Sequence, residues 1–223
     1  MKKKVTLIVT AAALITLLVA GSTLAWFTDS KEVNNVITMG NISATLEETL
    51  LDKDGNPVQE KDNDGNPVVD EDGNPVYEKT DKNEYVDVMP GDEIKKDPTV
   101  TLGEKSAQAW VRFTVKAAFT KDGAAVTGAD VNVLTFMKES GKVELNFTDG
   151  VAVYYVPAPM NAEESYQLFD AVALDGAKMG NIYQDTKLAI DVKADLIQSD
   201  NLKNADGSAV TTPEAAFAIF DAK

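Results

Sequence analysis

The sequence contains no cysteine and no histidine. Without cysteine no disulfide can form, so the folded chain has to be held together by packing. Without histidine, the HExxH motif and the imidazole ligands of a typical zinc protease are absent. The serine–histidine and cysteine–histidine pairs of common hydrolases are excluded for the same reason. The composition therefore predicts that the protein is not an enzyme, although its 36 acidic residues leave carboxylate-only chemistry open in principle.

Positive charge is scarce relative to negative charge. The chain has 36 Asp and Glu against 21 Lys and Arg, which gives a net charge of −15 at pH 7. Positions 1–25 contain no acidic residue, so removal of Lys2, Lys3 and Lys4 would leave the remainder more acidic still. Such a surface repels nucleic acid and anionic membranes. Because salt screens this repulsion, we expect salt or divalent cations to control self-association.

Residues 1–25 have the layout of a secretory signal peptide. Three lysines are followed by an apolar run and then by small residues that lead up to Ala25. Thr23 and Ala25 fit the −3 and −1 pockets of a signal peptidase, which predicts cleavage between Ala25 and Trp26. The alternative is a retained membrane anchor, since the 21 residues of 5–25 match the length of roughly 20 that a spanning helix needs. We expect cleavage and export, because threonines interrupt the run and small residues end it.

An acidic segment over residues 50–84 is rich in glycine, proline and asparagine. The pentapeptide Asp-Gly-Asn-Pro-Val occurs in it three times, starting at Asp54, Asp64 and Asp72. Asp-Gly supplies the positive φ of a tight turn, and Asn-Pro returns the chain to extended structure. Each copy therefore predicts a turn followed by a short extended piece. We expect the whole segment to project from the domain as a mobile, solvated insertion.

Each repeat also places two aspartates two positions apart before the turn glycine. Calcium loops use such carboxylates, but an EF-hand loop also needs a third ligand and a bidentate glutamate, which no copy supplies. The candidate calcium ligands are Asp52, Asp54, Asp62, Asp64, Asp70 and Asp72. Turn chemistry alone explains the motif, so we expect no cofactor, and diffuse binding of divalent ions in preference to specific calcium sites.

The rest of the sequence alternates between apolar and polar residues with the period of β-strands. The alternation is present at 42–46 and is clearest at 109–119. Two further runs, 143–147 and 151–156, flank Thr-Asp-Gly and predict a hairpin.

Helical signals are few. The clearest is a short capped helix with Pro213 in its first turn. Trp110 lies on the opposite side of its strand from the apolar stripe, and burial in a second layer is favoured over exposure. Many short strands, few short helices and an acidic turn-rich insertion predict an all-β sandwich.

Four segments together carry a family resemblance. They are 25–35 leading to Met-Gly-Asn-Ile at 39–42, the Pro-Gly-Asp segment within 88–100, the strand pattern at 107–115, and the C-terminal strand and exit at 191–201. These segments resemble the TasA/camelysin family of exported Gram-positive proteins, which a dedicated ER-type signal peptidase processes. The three Asp-Gly-Asn-Pro-Val copies match nothing in that family.

The resemblance implies a single jelly-roll-like β-sandwich over residues 26–223, of the kind that forms biofilm-matrix fibres. In such fibres the N-terminal segment freed by cleavage leaves its own subunit and completes a sheet in the next. Residues 26–46 are the candidate donor strand here, and its apolar side chains are Val33, Val36, Ile37, Met39, Ile42, Ala44 and Leu46. Each buried side chain of this kind contributes roughly 1.5–3 kcal/mol. The alternative is that 33–46 forms the first strand of its own domain.

We therefore predict a secreted structural protein that self-assembles by donor-strand exchange into fibres of the cell surface or extracellular matrix. Its expected partners are other copies of itself and, during export, the ER-type signal peptidase. Whether an accessory fibre subunit is also a partner is left open by the sequence. Neither nucleic acid nor, after cleavage, a membrane is expected as a partner. One alternative is a monomeric cell-surface adhesin of the same fold. A less favoured one is a metalloprotease, since camelysin-like members are described as casein-cleaving.

Overall fold

The computed structural model describes residues 28–32, 42–81, 83 and 89–222. In these residues it contains thirteen β-strands, two 3-10 turns and one α-helix, which agrees with the predicted all-β class. The strands are β1 (Thr28–Glu32), β2 (Ala44–Thr49), β3 (Lys79–Thr80), β4 (Glu93–Lys95), β5 (Thr99–Leu102), β6 (Ala109–Lys121), β7 (Ala124–Ala125), β8 (Leu134–Lys138), β9 (Gly141–Val143), β10 (Val151–Tyr155), β11 (Ser165–Gln167), β12 (Ala171–Leu174) and β13 (Lys187–Gln198). The 3-10 turns are Val131–Val133 and Asn181–Tyr183, and helix α1 is Pro213–Asp221. Within this described part of the chain, no helix has the length and hydrophobicity that a membrane crossing requires.

The described strands form three antiparallel sheets. The first sheet has the order β1-β13-β6-β10, with β7 paired to the end of β6. The second has the order β11-β5-β2-β3 and the third β4-β12-β8-β9. The two longest strands, β6 and β13, pair from Ala109↔Gln198 to Thr120↔Lys187 and form the centre of the first sheet.

The main core lies between the first sheet and the other two. Alternate residues of β6, among them Val111, Phe113 and Val115, are fully buried there. The second and third sheets pack against them with residues such as Val100 and Phe136. Two layers of sheet with an apolar interior make a β-sandwich, so the predicted sandwich is confirmed.

Helix α1 covers part of the opposite face of the first sheet. It begins as the sequence predicts, because the Thr212 hydroxyl accepts a hydrogen bond from the Ala215 backbone N–H (3.3 Å) and Pro213 occupies the first turn. Phe217 of the helix and Trp110 of β6 belong to one buried apolar cluster between the two elements. The predicted second buried layer around Trp110 is therefore confirmed.

The hairpin predicted from 143–147 and 151–156 forms only at its turn, where Thr148 and Val151 make an isolated antiparallel bridge with backbone hydrogen bonds of 2.9 and 3.0 Å. A tight turn does form at Asp149 and Gly150, which both have positive φ (51° and 76°). However, β9 ends at Val143 and pairs with β8, while β10 pairs with β6. Residues 144–147 form no strand, and Leu145 and Phe147 instead pack against the main core.

The acidic insertion lies between β2 and β3, and the pairing of these two strands closes its base. We call residues 50–78 the repeat module. In each Asp-Gly-Asn-Pro-Val copy the glycine has a positive φ (78°, 82° and 84°), so the predicted turns are confirmed. In the first copy, Asp52 N–H donates to the Asn56 carbonyl (2.8 Å) and Gly55 N–H to the Asp52 carbonyl (3.0 Å), and the other two copies repeat this pattern.

Two rings of backbone hydrogen bonds hold the repeat module together. In the first ring, Leu50 donates to Glu78 (2.8 Å), Glu78 to Val58 (2.9 Å) and Val58 to Leu50 (2.9 Å). The second ring joins residues 60, 68 and 76 in the same way, with distances of 2.9 to 3.1 Å. The rings connect all three turns to one another, so the module is a folded unit built almost without buried apolar side chains.

Candidate functional site

The N-terminal segment divides between two sheets. Its first part, β1, lies at the edge of the first sheet and pairs with β13 from Thr28↔Ile197 to Glu32↔Lys193. Its later part, β2, lies inside the second sheet, where it pairs with β5 and β3. The described parts of the candidate donor strand over 26–46 therefore belong to two strands with different surroundings.

The apolar residues of β2 and the residue just before it are part of the chain's own core. Ile42, Ala44 and Leu46 are 0%, 4% and 7% exposed, and all three belong to the main apolar cluster. Withdrawing them would open a cavity in the sandwich, and large-to-small changes at such sites typically cost about 2–5 kcal/mol. This part of the candidate donor strand is the least able to leave its subunit.

The remaining candidate residues of this segment fall outside the described part of the chain. They are the cleavage-site residues Ala25 and Trp26 and the donor residues Val33, Val36, Ile37 and Met39. Their proposed roles stay predictions.

The outer edge of β13 extends beyond β1. In the described part of the chain, the stretch Lys187–Val192 pairs with β6 on one side only. Its inward side chains Leu188 and Ile190 are partly buried and pack against the main core. A strand added at this edge would gain backbone hydrogen bonds and would cover these two apolar side chains.

The first aspartate of each repeat organises its own turn. The Oδ1 atom of Asp52 accepts hydrogen bonds from the backbone N–H groups of Asp54 (2.9 Å) and Asn56 (2.9 Å). Asp62 and Asp70 make the same contacts in the other two copies. The hydrogen bonds from the asparagine backbone lower the pKa of all three carboxyls, because they favour the charged form.

The six candidate calcium ligands are not brought together. The carboxylates of Asp52, Asp62 and Asp70 accept hydrogen bonds from the backbone of their own turns. The second aspartates, Asp54, Asp64 and Asp72, are exposed on the same turns. Among the residues that the structure describes, no three His, Cys, Asp or Glu side chains are grouped as a metal site would require. The geometry is that of Asx turns.

A buried polar cluster lies beneath the repeat module. Glu48 of β2 (2% exposed) and Lys96, between β4 and β5 (7% exposed), form an ion pair through Glu48 Oε1. The other carboxylate oxygen, Oε2, accepts a hydrogen bond from the Asn83 side-chain amide (3.3 Å). We call Glu48, Lys96 and Asn83 the base cluster.

The base cluster was not predicted from the sequence, although one signal pointed to Glu48. The alternation that puts Ala44 and Leu46 inside places Glu48 on the same inward face. A carboxylate on a buried face requires a partner, because an unpaired buried charge is strongly unfavourable. Its partners Lys96 and Asn83 come from distant parts of the sequence and could not be read from any local pattern.

A second charged cluster fastens helix α1. Arg112 of β6 donates to Asp195 Oδ2 through Nη2 (2.8 Å) and Nε (3.3 Å), and to Asp221 Oδ2 through Nη1 (2.6 Å). Partial burial by itself lowers the pKa of Arg112, but the hydrogen bonds with Asp221 and Asp195 outweigh it and raise that pKa. The guanidinium therefore stays charged while it joins the first sheet to the helix.

Comparison with known proteins gives a family match over the N-terminal quarter of the chain. The family model described as Camelysin metallo-endopeptidase matches residues 1–55, which include the predicted leader, β1 and β2. Searches of the curated proteins and of the solved structures gave no match. The match confirms, for residues 1–55, the resemblance to the TasA/camelysin family that the sequence motifs predict.

Proposed function

We propose that the protein is a secreted structural subunit that assembles into cell-surface or biofilm-matrix fibres by exchange of its N-terminal strand. The observation that carries this proposal is the position of β1 at a sheet edge, where its described pairing is with β13 alone. An edge strand can leave without opening the core, and the vacated edge can pair with a strand from another molecule. The camelysin match over residues 1–55 agrees with the TasA/camelysin resemblance on which this proposal draws.

The acceptor in this proposal is the outer edge of β13. A donor strand that continued past the β1 register would run along Lys187–Val192 and approach Leu188 and Ile190. If the Glu32↔Lys193 register continues, Val33 would lie opposite Val192 and Ile37 opposite Leu188, so both would face inward, whereas Val36 would face outward and Met39 would lie past Lys187. Burying Val33 and Ile37 there would contribute roughly 1.5–3 kcal/mol each.

The exchanged part ends before β2. Because Ile42, Ala44 and Leu46 are core residues of their own subunit, residues 26–41 form the moving part and β2 anchors it. A leader over 1–25 would hold this part next to the membrane, so cleavage by the ER-type signal peptidase would release it for assembly.

A structural role is proposed in preference to a proteolytic one. The family description names a metallo-endopeptidase, but the sequence has no histidine to bind a catalytic zinc ion in the usual way. Caseinolysis that survived repurification and was abolished by a chelator would favour the protease. No cofactor, nucleic acid or membrane partner is proposed for the mature protein.

The absence of cysteine gives a clean test by disulfide trapping. Glu32 of β1 lies opposite Lys193 of β13, so the double variant Glu32→Cys/Lys193→Cys can form a cross-strand disulfide. In fibres assembled from residues 26–223 and then oxidised, we expect covalent ladders on denaturing gels, because β1 of one subunit pairs with β13 of the next. Freshly purified monomer should give intramolecular bonds.

A matched control uses a pair that assembly should leave within one subunit. Thr114 of β6 lies opposite Val153 of β10, and Thr114→Cys/Val153→Cys should give monomers in every state. Filaments should appear by electron microscopy as concentration or salt rises. A protein that stays monomeric at high concentration, and whose disulfides between positions 32 and 193 are all intramolecular, would exclude the fibre and favour the monomeric adhesin.

A further inference from the structure

The base cluster has the arrangement of an acyl-transfer site. We infer that Lys96 and Asn83 become joined by an intramolecular amide bond, formed between Lys96 Nζ and Asn83 Cγ with loss of ammonia and with Glu48 as the catalytic residue. This inference concerns the single subunit and does not depend on fibre assembly.

Glu48 is placed between the nucleophile and the leaving group. Its Oε1 contacts the Lys96 amine, and its Oε2 accepts from Asn83 Nδ2 (3.3 Å), the nitrogen that would depart. One carboxylate can thus take protons from the attacking nitrogen and deliver them to the leaving nitrogen, which is what general acid–base catalysis of amide exchange requires.

The Asn83 carbonyl is polarised by a backbone donor. Leu51 N–H donates to Asn83 Oδ1 (3.0 Å), where negative charge would develop in the tetrahedral intermediate. Asn83 Nδ2 also donates to the Thr49 carbonyl (2.9 Å), so the carboxamide is held in one orientation. The carboxamide thus has an oxyanion donor and contacts Glu48, which on its other oxygen holds the Lys96 amine.

The reaction balances without any added reagent. Glu48 takes a proton from the Lys96 ammonium, and the neutral amine attacks Asn83 Cγ to form the new C–N bond. A second proton then leaves Nζ, and both protons end on Nδ2 through Glu48. The Cγ–Nδ2 bond breaks, ammonium departs, Glu48 returns to its carboxylate form, and Nζ keeps one hydrogen as an amide.

Burial favours the reaction. Glu48 and Lys96 are almost inaccessible to solvent, so charge interactions between them act at low dielectric, while Asn83 is half-buried. Holding the reacting groups in one site converts a slow bimolecular exchange into an intramolecular step. The product would tie the segment after β3 to the segment before β5 and would secure the base of the repeat module in a chain that has no disulfides.

Mass spectrometry of the denatured, full mature chain tests the inference. We expect an intact mass lower than the sequence mass by one ammonia molecule. Because trypsin cleaves after Lys82, Lys95 and Lys105, it should release a branched peptide that joins 83–95 to 96–105. A folded protein with the full sequence mass would overturn the inference, and loss of water in place of ammonia would overturn the assignment of Asn83.

Substitutions assign the three roles. Lys96→Arg and Asn83→Ala should each restore the full mass. Glu48→Gln should do so while keeping the size of the side chain, because its amide cannot carry the protons, although its nitrogen can no longer accept one of the two hydrogen bonds. Lys95→Arg, at an exposed neighbouring lysine, is the matched control and should keep the mass loss. If Glu48→Gln retained the branched peptide, Glu48 would not be the proton carrier. The mass of the chain without substitutions shows whether the amide bond forms, even where a variant fails to fold.

Discussion

The guanidinium carbon of Arg112 lies 4.6 Å from the ring centre of Phe217, so the only arginine of the sequence stacks on the helix that closes the outer face of the first sheet. The same guanidinium contacts Asp195 and Asp221, which places charge pairing and cation–π contact in one side chain. Lysine could not replace this geometry, because its ammonium lacks the planar fork.

Arg112→Ala should therefore loosen helix α1. We expect the free energy of unfolding in urea to fall by about 3–5 kcal/mol, since the variant leaves the buried Asp195 carboxylate without this partner. Lys121→Ala removes an exposed ion pair with Asp185 (3.5 Å) and should change stability by less than about 1 kcal/mol. Equal effects of the two substitutions would contradict the structural role given to Arg112.

Substitution in β2 separates the anchored part of the N-terminal segment from the exchanged part. Leu46→Ala should destabilise the monomer by about 2–5 kcal/mol, because Leu46 is packed in the main core. Glu47→Ala, at the adjacent exposed position, should be nearly neutral. Chemical denaturation below the assembly concentration measures both, and a neutral Leu46→Ala would show that β2 does not belong to its own subunit's core.

A side chain at Gly150 should destabilise the fold, because the turn there requires a positive φ. Gly150 has φ +76°, and a Cβ added there would lie 2.8 Å from the Ala117 carbonyl oxygen. Gly150→Ala should cost about 2 kcal/mol of unfolding free energy from left-handed strain and close contact together. Gly180→Ala, where nothing lies within 4 Å and φ is ordinary, is the control and should leave the melting temperature unchanged.

The repeat turns should depend on pH at the acidic end. The pKa values of Asp52, Asp62 and Asp70 are lowered below 3.8 by hydrogen bonds to the charged carboxylates. A lowered folded-state pKa gives stability that is complete above the unfolded value and is lost as pH falls through the folded value. The turns should therefore stay intact down to about pH 4 and loosen below it.

Carboxyl carbon shifts followed by NMR from pH 7 to pH 2 measure these three titrations. Their midpoints should lie below 3.8, and the amide signals of Gly55, Gly65 and Gly73 should move with them. In Asp62→Asn the amide oxygen still accepts hydrogen bonds, so the Gly65 signal should lose its acid transition. Midpoints at or above the ordinary value would contradict the turn geometry.

Local patterns in the sequence predicted local structure well. Alternation located β6 and the inward residues of β2, the Asp-Gly-Asn-Pro spacing located three turns, and Pro213 located the start of helix α1. The hairpin at 143–156 forms only as the Thr148–Val151 bridge, because Leu145 and Phe147 pack against the main core and residues 144–147 do not pair with β10, a tertiary contact that local alternation does not show.

The candidate site was predicted less completely. The sequence predicted one donor strand over 26–46, but not that β1 and β2 belong to different sheets. Alternation in a strand gives no information about which other strand it pairs with. The base cluster depends on Lys96 and Asn83 reaching Glu48 from distant positions, which only the folded chain shows. The roles of Val33 to Met39 stay predictions.

The two rings of the repeat module set a limit on how the segment can grow. A triangle of backbone bonds has no free side, so a fourth copy of the pentapeptide would find no unpaired neighbour at either ring. Stacked solenoids lengthen by adding units at an open end. Here both rings are closed, so a fourth copy would have to break a triangle or lie outside both.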